Sequence, residues 1–233
     1  MTTYVLVHGA GGGAQTWRAV RPLLWESGHQ VFTPSLTGVG ERAHLASPQI
    51  SLRTHVDDVV ATIHYEGLDD IVLLGFSYGG MVITGALDHV AGKVREVVYL
   101  DAFVPADGQS AFDLVGRSAP GRITDPWAID GIPREYEDPA EAEFHLPRRS
   151  LQPVRTLAEP VRLARPLEDH PFGRTFIKAL GDPRNTEGPD AFYDAADRVR
   201  EHPKWRYHES TSNHMIPQNR PQELADILLA LAD

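Results

Sequence analysis

The sequence has no cysteine, and that alone excludes disulfides, Cys-ligated zinc, iron–sulfur clusters and a thiol nucleophile. It also lacks an excess of basic charge. Against 22 Lys and Arg stand 32 Asp and Glu, a formal net charge of -10, which argues against nucleic acid or an anionic membrane surface as a partner and suits a well-solvated surface. No apolar run is long enough to span a bilayer. Residues Met1 to His8 run straight into a strand pattern without a basic segment or a small-residue cleavage site, so no signal peptide is expected and a cytoplasmic location follows by default. Nucleotide-binding motifs are missing too. Gly11, Gly12 and Gly13 are out of register for Gly-x-Gly-x-x-Gly, and no Gly-Lys-Ser/Thr occurs.

What is present is an ordinary globular composition, 42% apolar and 23% charged over 233 residues, which fits one domain spanning residues 1–233. Strand patterns at Tyr4 to Val7, Gln30 to Leu36, Ile71 to Phe76, Val94 to Leu100, Arg174 to Leu180 and Lys204 to Glu209 alternate with helical ones. The helical patterns cover Gln15 to Glu26, Ser51 to Glu66, Met81 to Asp88, Asp190 to Arg200 and Pro221 to Ala232, with Ser51 as an N-cap. This alternation predicts an α/β fold: a mostly parallel sheet of about six strands with helices on both faces. Between Phe103 and about Phe172 the pattern fails. Prolines 105, 120, 126, 133, 139, 147, 153, 160, 166 and 171 cut the segment into short pieces, and no clear strand is expected there. A structureless loop of that length is improbable in a compact domain, so residues of about 103–172 are expected to form a helical cap inserted after the strand that ends at Asp101. Trp127, Phe144, Leu146, Leu151 and Leu157 either line an apolar pocket from the cap side or form the cap's own small core.

The chain is organised around Gly75-Phe76-Ser77-Tyr78-Gly79-Gly80, where an apolar strand turns at once into a helix. Gly-x-Ser-x-Gly in that context is a nucleophile elbow: the glycines admit close backbone approach, and Ser77 is expected in strained φ/ψ. A serine hydroxyl needs a base and a donor pair for the developing oxyanion. The Gly-rich loop after the first strand suggests the backbone amide of Ala10 as one donor, and the residue after the serine, Tyr78, supplies the other. Ligands of open parallel sheets lie beyond the C-terminal ends of the strands, and His8, Ser77, Asp101, Asp182 and His214 all fall there. His214, after the last strand, is the expected base. Asp182, after the penultimate strand, is the expected orienting acid, with Asp101 as the alternative and Asp190 or Asp194 behind it. Gly9, Phe103, Trp127, Phe144 and Met215 complete the expected substrate pocket.

His8-Gly9-Ala10 with Trp17, the Ser77 elbow, Asp182 and Asn213-His214-Met215 together resemble the α/β-hydrolase superfamily. Within it the chain is similar to the branch of plant methyl esterases and hydroxynitrile lyases, and to bacterial esterase-like members. That resemblance implies the Ser77, Asp182, His214 triad, the Ala10 and Tyr78 amides as oxyanion hole, and no cofactor or metal. The lyases of the branch carry threonine after the first-strand histidine and lysine after the catalytic one. Here Gly9 and Met215 stand at those places, favouring a serine carboxylic-ester hydrolase acting on small or aromatic esters over a lyase or cyclase using His214 as base. The expected partner is a small-molecule ester, and a homodimer is compatible with the reading.

Overall fold

A computed structural model describes residues 1–118, 120, 123 and 125–231. Its strands are β1 (Thr3–Val7), β2 (Gln30–Phe32), β3 (Ile71–Phe76), β4 (Val94–Leu100), β5 (Ala128–Ile129), β6 (Gln152–Pro153), β7 (Gly173–Ala179) and β8 (Arg206–Ser210). Its α-helices are α1 (Val20–Glu26), α2 (Leu52–Tyr65), α3 (Gly79–Val90), α4 (Ala111–Leu114), α5 (Pro139–His145), α6 (Val154–Ala158), α7 (Ala191–Arg200), α8 (Ile216–Asn219) and α9 (Pro221–Ala230). Six strands form one sheet in the order β2-β1-β3-β4-β7-β8, and every neighbouring pair is parallel. The expected six-stranded α/β architecture is therefore present.

The period-2 alternation of the central strands explains why helices cover both faces. Val5, Val7, Leu73, Val97, Tyr99 and Phe176 point to one core, which is closed by α2, α3 and α7. Tyr4, Leu6, Val72, Leu74, Val98, Leu100 and Ile177 point to the other, closed by α1 and α9. Boundaries moved where proline or capping decided them. The helix expected from Gln15 splits into a 3-10 turn at Ala14–Trp17 and α1, with Pro22 in the first turn of α1, where its missing N–H costs nothing. Strand β2 stops at Phe32, two residues before Pro34. Ser51 and Asp190 cap α2 and α7, as the residue types favour. The closing helix runs to Ala230, and Ala232 lies outside the described residues.

The segment between β4 and β7 contains the short helices α4, α5 and α6, and the two-residue antiparallel ladder β5·β6, a piece of sheet the proline-rich sequence does not foretell. Among the hydrogen bonds that stitch this segment to the rest of the chain, two sets lie at the β1 loop and at the start of β7. Gly11 donates to Gln152 Oε1 at 2.9 Å, and Ser150 N–H donates to the Gly11 carbonyl at 3.0 Å. At its far end the buried Arg174 guanidinium donates to the carbonyls of Leu167, Phe172 and His170, fixing the chain as it re-enters the sheet. No helix among the described residues is long and apolar enough to cross a membrane.

Steric room at the β3–α3 junction is minimal. A Cβ on Gly75 would meet the Gly79 carbonyl carbon and oxygen at 2.6 Å, and one on Gly79 would meet the Val7 carbonyl oxygen at 2.7 Å. Backbone cannot yield as a flexible side chain can, so Gly75→Ala is expected to destabilise the protein by roughly 3 kcal/mol. Urea titration of the two proteins checks this. An unchanged midpoint would mean that strand and helix are further apart than described.

Candidate active site

Ser77 sits between the end of β3 and the start of α3 with φ at 56°. For a residue bearing a Cβ this is a strained left-handed conformation, and it persists because packing on both sides imposes it. Ser77 N–H donates to the Leu100 carbonyl at 3.2 Å, and the Ser77 carbonyl accepts from Gly80 and Phe103. Gly9 lies against the serine: a Cβ placed on it would be 3.0 Å from Ser77 Cβ. The β1 loop then closes through a 3.2 Å bond from Gly12 N–H to the Gly9 carbonyl, with Gly11 at φ 64°.

A cavity of about 510 Å³ opens above this junction, and Ala10, Ser77, Tyr78, Asp101, Lys178 and His214 are among its wall residues. The imidazole of His214 is buried and clasped between Phe76 and Phe192, with ring centroids at 4.8 and 5.0 Å. Its Nδ1 lies 2.6 Å from Asp101 Oδ2. A carboxylate only accepts, so Nδ1 carries the hydrogen and Nε2 of the neutral ring is the basic nitrogen. Burial, the largest influence, holds the His214 pKa below its ordinary value; the hydrogen bond to Asp101 opposes that shift and Arg134 reinforces it.

The expectation that Asp182 orients this ring is corrected. Its Oδ2 accepts the backbone N–H of His214 at 2.9 Å, so it positions the histidine loop, and its side chain is 43% exposed. Asp101, weighed above as the alternative, makes the ring contact. Its side chain is 2% exposed and its φ is 39°. Burial alone would raise the Asp101 pKa, but the hydrogen bond and charge of His214, with Lys178, outweigh it and hold it low. Asp190 caps α7 and Asp194 pairs with Arg184, so neither reaches the imidazole.

Lys178 is the neighbour of the Asp101–His214 pair that sequence reasoning missed. Its Nζ donates to Asp101 Oδ1 at 2.7 Å and to the Ala179 carbonyl at 2.5 Å, and lies 3.9 Å from the Tyr193 ring centroid. A signal was available: a lone cation inside Phe176-Ile177-Lys178-Ala179 has to find a buried acid. Two other buried histidines, His8 and His55, are held by hydrogen bonds away from Ser77. His8 Nδ1 bonds the Gly9 carbonyl and Nε2 accepts from Leu36. His55 bridges the Tyr78 hydroxyl and the Thr37 carbonyl, and burial pushes its pKa down to about 4.

Of the expected pocket residues, Gly9, Phe103 and Met215 line the cavity, and so does Leu157. Trp127 and Phe144 do not. Trp127 is half-buried in the inserted segment, where its carbonyl accepts from Val154. Phe144 is stacked between the guanidinium groups of Arg18 and Arg148, each 4.0 Å from its centroid. Leu146 and Leu151 are exposed. No group of His, Asp or Glu among the described residues is arranged to hold a metal ion.

Known proteins share this architecture. A carbendazim-hydrolysing esterase of Nocardioides sp. (strain SG-4G) is 48% identical over 124 residues, 53% of this chain and 51% of that esterase. Methylesterase 8 of Arabidopsis thaliana is 27% identical over 259 residues, covering 99% of this chain and 89% of its own. The crystal structure of another Arabidopsis methylesterase superposes with a TM-score of 0.76 at 20% identity, covering 100% of this chain and 99% of that one, a likeness of fold. The model of the alpha/beta hydrolase family matches residues 4–227, and the chain belongs to that family.

Proposed function

We propose that this protein is a serine carboxylic-ester hydrolase in which Ser77 is the nucleophile, His214 the general base and Asp101 the orienting acid. The observation that carries the reading is the Asp101–His214 bond, which fixes the tautomer that leaves Nε2 free to take a proton, beside a cavity that Ser77 also lines. Ser77 Oγ attacks the ester carbonyl while His214 Nε2 accepts its proton. The amides of Ala10 and Tyr78 receive the oxyanion, and His214 returns the proton to the departing alkoxide. Water, deprotonated by the same nitrogen, then releases the acid from the acyl-serine. The named esterases among its relatives support the ester-hydrolase class. The apolar part of the wall, with Phe103, Leu157 and Met215, supports small or aromatic esters.

A fluorophosphonate tests the nucleophile directly. One covalent label on Ser77 is expected by mass spectrometry, and a folded protein that takes none would speak instead for His214 acting as base without an activated serine.

His214 works as a base only while neutral, so kcat/KM should rise with pH and reach its plateau early, since burial depresses its pKa. Lys178 pairs with Asp101 at 2.7 Å, and its positive charge is expected to offset the carboxylate charge that favours the imidazolium. In Lys178→Met the full charge of Asp101 faces the ring, with Arg134 and Asp182 unchanged nearby. The acidic limb of the kcat/KM profile should therefore move to higher pH. A limb that stays in place would show that Lys178 only packs.

A further inference from the structure

Three arginines line the cavity, Arg117 exposed and Arg134 and Arg149 half-buried, and the two half-buried guanidinium groups lack a full counter-charge. Arg149 belongs to the stretch tied to the β1 loop: Ser150 N–H donates to the Gly11 carbonyl at 3.0 Å, and Ser150 Oγ accepts from Gly40 at 2.8 Å. Its head lies against Gly131, where a Cβ would be 2.3 Å from Nη2, and the same point is 4.0 Å from the Ala10 carbonyl oxygen. The guanidinium is thus held beside the proposed oxyanion loop, and no side-chain hydrogen bond or ion pair joins it to another described residue. Arg134 stands on the histidine side. Its Nη1 is 3.8 Å from Asp182 Oδ2, beyond hydrogen-bond distance, and that oxygen already accepts the His214 amide.

Among the described residues no other carboxylate on this wall forms an ion pair with either arginine. Asp101 is engaged by Lys178 and His214, Asp190 by the first turn of α7, and Asp130 is exposed. The two arginines also feel each other. Burial above all lowers the Arg134 pKa, Asp182, Asp101 and Asp190 oppose it, and Arg149 lowers it further. In a chain of net charge -10, two guanidiniums gathered at one half-buried wall form a local field that a negative group relieves.

We infer that Arg134 and Arg149 receive a carboxylate carried by the substrate, so that the preferred esters are those bearing a free carboxylate on the acyl or the alcohol part. This rests on the hydrolase reading above. Paired N–H donors to a carboxylate give charge-assisted bonds with directional selectivity, and Met at either position would keep bulk while removing them.

Initial rates for two matched pairs test this. Monomethyl glutarate against methyl pentanoate places the charge on the acyl side, and O-acetylglycolate against propyl acetate places it on the alcohol side. Wild-type protein should favour the anionic member of at least one pair in kcat/KM. Arg149→Met and Arg134→Met should each lower that anionic-to-neutral ratio tenfold or more, with Arg149→Lys recovering part of it. An unchanged ratio in both Met variants, or a wild type that cleaves only neutral esters, overturns the inference while leaving the hydrolase intact. Calorimetric binding of the monomethyl glutarate anion to Ser77→Ala protein separates the two readings. Binding that Arg149→Met abolishes supports the anion site even where no ester is cleaved. A Ser77→Ala protein that does not bind the anion, together with a wild type showing no preference for charge, overturns it.

Discussion

Ser77→Ala is expected to lower kcat for p-nitrophenyl butyrate by about four to six orders of magnitude, with a far smaller change in KM. The size follows from what is lost. Without Oγ no acyl-enzyme forms, and His214, clasped between Phe76 and Phe192, keeps its place but has no hydroxyl to deprotonate. The residual rate would come from the Ala10 and Tyr78 amides and from binding alone. The variant should fold, because alanine keeps the Cβ that already tolerates the left-handed φ of 56° and the backbone bonds to Leu100, Gly80 and Phe103 do not involve Oγ. Removing the hydroxyl does not remove the strain, so thermal stability should stay near that of the wild type. A Ser77→Ala protein that keeps its rate, freed of wild-type contamination, would transfer the nucleophile's role elsewhere in the cavity.

The fold was legible because its determinants are short-range and periodic. Alternation in Tyr4-Val5-Leu6-Val7 and Val97-Val98-Tyr99-Leu100 sends side chains to two faces, and only a sheet covered on both sides satisfies that. The elbow was legible because Gly75 and Gly79 report a close backbone approach that other residues would block. The acid was not legible in this way. Asp101 and Asp182 both follow strands, and chain position cannot say which side chain turns inward. That choice is made by the left-handed turn at Asp101 and by its bond to Lys178, each lying one residue beyond the paired Leu100 and Ile177 on adjacent strands. The aromatic residues of the inserted segment failed for another reason. Between prolines there is no period to assign a face, so Trp127 and Phe144 could be placed only by tertiary packing.

The pair Asp101→Asn and Asp182→Asn separates the two candidate acids, and the first should cost about three to four orders of magnitude in kcat while the second costs about tenfold or less. The argument turns on which end of an asparagine faces the histidine. At position 101 two donors, Lys178 Nζ and the Ala179 amide, address Oδ1 at 2.7 and 3.2 Å. The amide oxygen of the introduced asparagine must take that side, leaving its NH2 to face His214 Nδ1. Two donors cannot share that contact, so the imidazole shifts its hydrogen to Nε2 and presents an N–H, not a lone pair, where the base is needed. At position 182 the carboxylate's hydrogen bond to His214 is to the backbone N–H, not the ring, and the asparagine oxygen can accept it as well. Nitrogen NMR of the imidazole reports the tautomer independently of rate: Asp101→Asn should show the hydrogen on Nε2, and Asp182→Asn should keep it on Nδ1. The reverse pattern, with Asp182→Asn inactive and Asp101→Asn retaining turnover, would return the acid's role to Asp182 and require the loop from Asp182 to Asp190 to reposition when substrate binds.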